Sequence, residues 1–157
     1  KQLDRVEATE ADIVEVDAWI DESLTPHQEI VKKLLGIPGV DRIGAAVIIA
    51  ELGIDMAVFP TAGHAAAWAG VAPGNHESAG KRVRSGKRRG NVHLTTALVQ
   101  AAAAAARTRG SYLKEKFWRL KARRGHKRAL VAIAHHILIA TYHMLARKTD
   151  YQDLGAG

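Results

Sequence analysis

Cysteine does not occur among the 157 residues, so neither a disulfide framework nor a thiolate metal site is possible. Its absence fits a reducing compartment. Aromatic side chains make up only 5% of the chain, and a core short of large rings but rich in alanine favours helices packed closely through small side chains. No segment of useful length alternates with the two-residue period of a strand. No apolar run is expected to reach the length of a bilayer span, and the first residues lack the basic-then-apolar order of a signal peptide. Together these absences predict a soluble, all-α chain with one ordinary core.

Carboxylates are also scarce beyond residue 30. Residues 1–30 hold nine Asp and Glu against two Lys and Arg, whereas residues 31–157 hold seven against twenty-one. The second part carries a formal +14, which points to a polyanion as its partner, the competing reading being a merely solvated basic surface.

The chain opens on a helical pattern with no start signal of its own, as expected of a piece of something longer. Leu3, Val6, Ile13, Val16, Ile20 and Leu24 form a thin apolar stripe among acids, able to pack on the body of the domain or to pair with another chain. Thr25-Pro26-His27-Gln28 reads as a helix start, with Thr25 as N-cap and Gln28 closing a capping box. That helix is expected to stop at Gly36. Others are expected from about 41 to 52, from Thr61 to Trp68, from Val92 through the alanine run toward Gly110, and from Ser111 to Arg124. The last, from about 127 to 147, is apolar on most faces and is expected to be the central core helix.

Three groups of residues invite a chemical reading. "IPGVDRIGAAVI", residues 37–48, resembles the helix-hairpin-helix motif of DNA repair and recombination proteins. The turn at Gly39 and the helix N-terminus after it can hold a phosphate without reading a base, and Arg42 can reach a backbone phosphate. Asp41 stands where a second glycine is usual, and its alternative role is a local N-cap. Histidines 135, 136 and 143 lie on the last helix, where His136 and His143 are too far apart along the axis to share a zinc, and core or interface roles are expected. On the helix after Ser111, Phe117 and Trp118 stand among six Lys and Arg. Such an aromatic pair more often anchors a helix than stacks on bases, while the cations are candidates for phosphate contacts.

The third group is "GVAPGNHESAGKRVRSGKRRGN", residues 70–91, with six Lys and Arg against one carboxylate. It is not a phosphate loop, because five residues separate Gly74 from Gly80 and Arg82 follows Lys81 where Ser or Thr is required. A serine hydroxyl is a poor nucleophile toward a negatively charged phosphodiester, and surrounding cations correct both defects. Ser78 and Ser85 meet that condition about equally, with turn or cap roles as the alternative for each. His76 is a candidate proton acceptor near Ser78.

"IPGV", "FPTAGHAAAWAGVAPGNHESAGK", "RRGNVHLTTALVQAA" and "YLKEKFWRLKARRGHKRALVAIAHHIL", in this order, resemble the C-terminal transposase domain of the bacterial insertion-sequence family numbered one hundred and ten. Members of that family look like serine recombinases guided by a bridge RNA. The resemblance implies a single helical domain containing the hairpin motif, residues 34–157, preceded by the end of a coiled-coil-like acidic connector, residues 1–33. It selects Ser78 in "GVAPGNHESAGK" as the nucleophile, with Ser85 as runner-up. Gly39, Arg42, Lys81, Arg82, Arg84, Lys87, Arg88 and Arg89 are then the expected DNA contacts. Many relatives carry Arg at the position of Thr95, which puts one phosphate contact in question.

The implied activity is cleavage and rejoining of DNA through a covalent phosphoserine link. The alternative is a non-catalytic nucleic-acid-binding and assembly module. Implied partners are DNA, a guide RNA and further copies of the full-length protein, with no membrane, in the bacterial cytoplasm at the nucleoid. The family's magnesium belongs to an RuvC-like domain not represented in this chain. The carboxylates Asp12, Glu15 and Asp17 read as a solvated helix face, so neither metal nor cofactor is expected here.

Overall fold

In the first helix, α1 (Gln2–Leu24), the residues withdrawn from solvent lie toward the C-terminal end. Of the apolar stripe, Leu24 is buried and Ile20 half-buried, while Leu3, Val6, Ile13 and Val16 face solvent. In this computed structural model the described residues are 1–73, 77–78, 81–82 and 90–155.

Thr25 is not an N-cap. It has right-handed helical backbone angles, φ −52° and ψ −44°, whereas an N-cap needs an extended conformation for its side chain to reach forward. Its hydroxyl donates backward to Asp21 O at 3.0 Å. Residues Thr25–His27 form a 3-10 turn, and α2 begins at Gln28 and ends at Leu35. The expected division after residue 33 falls inside this helix.

The other starts and stops follow local chemistry. Asp41 caps α3 (Arg42–Leu52) by accepting from Gly44 N at 2.7 Å. Thr61 caps α4 (Ala62–Ala69), Asn91 caps α5 (Val92–Ala105) and Ser111 caps α6 (Tyr112–Arg124). Gly125 has φ 80° and separates α6 from α7 (His126–Arg147). Between α4 and α5 lie two-residue strands, β1 (Glu77–Ser78) and β2 (Lys81–Arg82), paired antiparallel. Strands this short leave no period in the sequence, and the fold is all-α.

By length and composition α7 is apolar enough to cross a membrane, which corrects the expectation that no segment qualifies. Its apolar surface is used inward: Ala129, Ile133, Ala134, Ile137 and Leu138 are all fully buried. The helix packs against α4, α5 and α6, and alanines at 65, 66, 102 and 105 let the helices around it approach closely. Residues 149–155 then return across the surface. Lys33 of α2 pairs with Asp150 at 2.6 Å, and Asp153 accepts from Tyr112 N at the start of α6.

Candidate nucleic-acid interface

The basic segment leaves and re-enters the helical body at one point. On the outgoing side α4 ends at Gly70, φ 76°, and Val71 N and Ala72 N both donate to Ala66 O at 3.0 Å. Val71 is buried. On the returning side the Gly90 backbone lies against Ala69 and Gly70 so closely that a Cβ would stand 2.5 Å from Ala69 C. Glycine is required there by that approach.

Asn91, the cap of α5, and Thr95 within it lock this closure. Asn91 N donates to Trp68 O at 3.3 Å, Asn91 Oδ1 accepts from Leu94 N, and Asn91 Nδ2 donates to Glu51 Oε2 at 2.5 Å. The buried Thr95 hydroxyl donates to Ala69 O at 2.6 Å, with Asn91 O a second acceptor at 2.8 Å. Thr95, considered for a missing phosphate contact, therefore holds the base of the loop. Glu51 is a site residue that sequence reasoning missed, because nothing in local pattern joins positions 51 and 91.

Within the loop the ribbon sets Ser78 opposite Lys81 and Glu77 opposite Arg82. Candidates Arg84, Lys87, Arg88 and Arg89, the rival Ser85 and the proposed acceptor His76 lie outside the described residues. The structure thus places the backbones of Ser78, Lys81 and Arg82 in one ribbon.

His135 of α7 lies beside Val71 at the outgoing root, and His136 follows it on the helix. Burial lowers the His135 pKa, and the Val71 backbone, which favours the charged form, does not offset it. Burial, followed by Lys116 and His135, pushes His136 down to about 4 from 6.5. The two rings meet edge to face at 5.9 Å. Both imidazoles are neutral at pH 7, which suits half-buried packing.

The other two expected DNA contacts lie on the α2–α3 turn and at the first residue of α3. Gly39 has φ 88°, and a Cβ there would collide with Ala101 O and Ala105 N of α5. Its glycine is set by packing. Arg42 pairs with Asp17 at 3.1 Å and also with Asp21, both on α1. The cation expected to reach a phosphate is held by carboxylates of the acidic helix. A groove of about 380 Å³ runs beside it between α3 and α5, lined by Gly39, Asp41, His93, Thr96 and Gln100.

Among the described residues no three His, Asp or Glu side chains converge as a metal site would require. Asp12 and Glu15 are exposed along α1, and Asp17 is paired with Arg42. This donor set does not fit a magnesium ion.

Residues 31–119, more than half of the chain, match the family model described as "Transposase IS116/IS110/IS902 family". A relative from Pseudomonas aeruginosa described as "Probable family 20 transposase" is 28% identical, in an alignment covering 95% of this chain and 45% of the relative. The chain therefore spans less than half the length of that protein.

Proposed function

Taking as premise that the chain belongs to the IS116/IS110/IS902 transposase family, we propose that it is the serine-bearing half of an enzyme that cuts and rejoins DNA. Ser78 is the nucleophile. The observation that carries this reading is the ribbon register, which sets Ser78 opposite Lys81 in a loop with a pinned base.

In the reaction, Ser78 Oγ attacks the phosphorus of a DNA phosphodiester. The Oγ–P bond forms, the bond from phosphorus to one deoxyribose oxygen breaks, and that oxygen leaves as a hydroxyl after taking a proton. The serine proton passes to a base or to solvent. One phosphodiester is exchanged for another, so a DNA hydroxyl can later reverse the step without an energy source. Lys81 and Arg82, with Arg84, Lys87, Arg88 and Arg89, bind the scissile phosphate and stabilise charge developing on its oxygens. The carboxylates in this chain hold no metal in this scheme, and magnesium belongs to a separate RuvC-like domain of the whole protein. Guide RNA and further protein copies are the other proposed partners.

The α2–α3 turn offers a second, weaker contact, because Arg42 must exchange Asp17 and Asp21 for a phosphate. The engaged state of Arg42 and the packed state of Gly39 favour, for this turn alone, the reading of a structural hairpin.

The test uses full-length protein with its DNA substrate. Ser78→Ala is expected to abolish strand cleavage and the covalent protein–DNA adduct while leaving nucleic-acid binding nearly intact, since one hydroxyl carries no charge. Ser85→Ala is expected only to slow the reaction. Loss of the adduct in the Ser85 variant, with retention in the Ser78 variant, refutes the assignment. Normal cleavage by both leaves the non-catalytic binding module as the reading of this loop.

A further inference from the structure

Phe117 and Trp118 are neighbours on α6 that the fold treats in opposite ways. Phe117 is 3% exposed and fills the core beside α7, whereas Trp118 remains 49% exposed. An indole left half in water forfeits a large part of its burial energy, about 1–2 kcal/mol. Its surroundings suggest what the exposed surface is for. Lys121 holds its ammonium over the ring, 4.2 Å from the centroid. Arg119, Ala122 and Arg123 are exposed on the same helix.

The charge of this corner is one-sided. From Lys114 to Arg128 the chain has eight Lys and Arg and a single carboxylate, Glu115. Among the described residues, none of these cations makes an ion pair. Such a surface complements a polyanion. Phosphates alone would be served by lysines and arginines without an aromatic. A flat, exposed indole between them adds a stacking partner, and only a base outside a duplex presents its face to one.

We propose that the outer face of α6 and the first turn of α7 bind an unpaired polynucleotide strand. One base stacks on Trp118 while Arg119, Lys121, Arg123 and Lys127 take the adjoining phosphates. Lys121, now over the indole, yields that face to the base and moves to its phosphate. Stacking and phosphate contacts ignore the sugar, so DNA and RNA strands of one sequence bind alike. The inference rests on the nucleic-acid partner of the proposed function and not on its chemistry. The serine adduct and strand binding at α6 can fail independently.

The experiment is fluorescence anisotropy of this chain with labelled 12-nucleotide single-stranded DNA, single-stranded RNA and duplex DNA of the same sequence. Single strands are expected to bind more tightly than the duplex, with DNA and RNA within about threefold of each other. Trp118→Ala is expected to weaken single-strand binding about 5- to 100-fold and to change duplex binding less than about twofold. Trp118→Phe recovers part of the loss. If Trp118→Ala lowers the unfolding temperature, the Arg119→Gln/Arg123→Gln pair replaces it, with a single-strand salt slope expected to be shallower by about 1.4. Tighter binding to the duplex, a full-strength Trp118→Ala complex, or an unchanged slope in the arginine pair overturns the proposal.

Discussion

Replacing Gly39 by alanine tests whether the α2–α3 turn is constrained by packing or by a ligand. Gly39 and Gly110 both have a positive φ, 88° and 70°. They differ in what a Cβ would meet. At Gly110 nothing lies within 4 Å, whereas at Gly39 the new atom would stand 2.5 Å from Ala105 N and 3.0 Å from Ala105 Cβ, with Ala101 O in collision as well. The conformational penalty of a positive φ is about 1 kcal/mol. At Gly39 the turn must also back away from α5, whose backbone cannot yield, and overpacking of this kind costs a further ~1–3 kcal/mol. For a chain of this size each kcal/mol lowers the unfolding temperature by about 2–4 °C. Gly110→Ala is therefore expected to lose about 3 °C and Gly39→Ala about 4–16 °C in thermal denaturation followed by circular dichroism at 222 nm. Equal losses would refute the packing argument and return Gly39 to the phosphate reading.

Lowering pH is expected to destabilise the chain from about 6.5 to about 4, because the unfolded state protonates His136 at its ordinary value while the folded state resists until about 4. His136→Gln should flatten that part of a urea-denaturation pH profile, and an unchanged profile would contradict the burial argument. Thr95→Val keeps the volume but removes the donor to Ala69 O, so it is expected to cost about 1–2 kcal/mol in urea unfolding. Asp17→Asn with Asp21→Asn releases Arg42 from exposed ion pairs, at a stability cost under about 1 kcal/mol per pair. It should steepen the salt dependence of duplex binding by about 0.9 relative to Asp12→Asn with Glu15→Gln, which removes the same charge from the same helix. Identical slopes would show that Arg42 takes no phosphate.

Much of the helical plan was legible in the chain because its punctuation is local. Asp41, Thr61, Asn91 and Ser111 cap helices with their own side chains, and Gly53, Gly70 and Gly125 end them with φ values that favour glycine. Thr25 failed as a cap because its signal is shared. Pro26 and Gln28 fit a new helix, yet α1 continues in right-handed conformation through Thr25 and turns without pausing. The central place of α7 was readable from apolar residues on most of its faces.

The candidate site divides along the same line. The run of cations around Ser78 is a property of composition, and the family resemblance rests on segments in order, so both are visible without coordinates. The sequence by itself determined the helices, most of their ends and the basic loop between α4 and α5, because each depends on residues within a turn or two of one another. Only the tertiary structure decided that Asn91 meets Glu51, that Arg42 is held by Asp17 and Asp21, that Gly39 is pressed against α5, and that Phe117 enters the core while Trp118 does not. Those outcomes depend on which helix surfaces come together when the apolar area of α7 is buried, and no local pattern specifies a neighbour forty residues away.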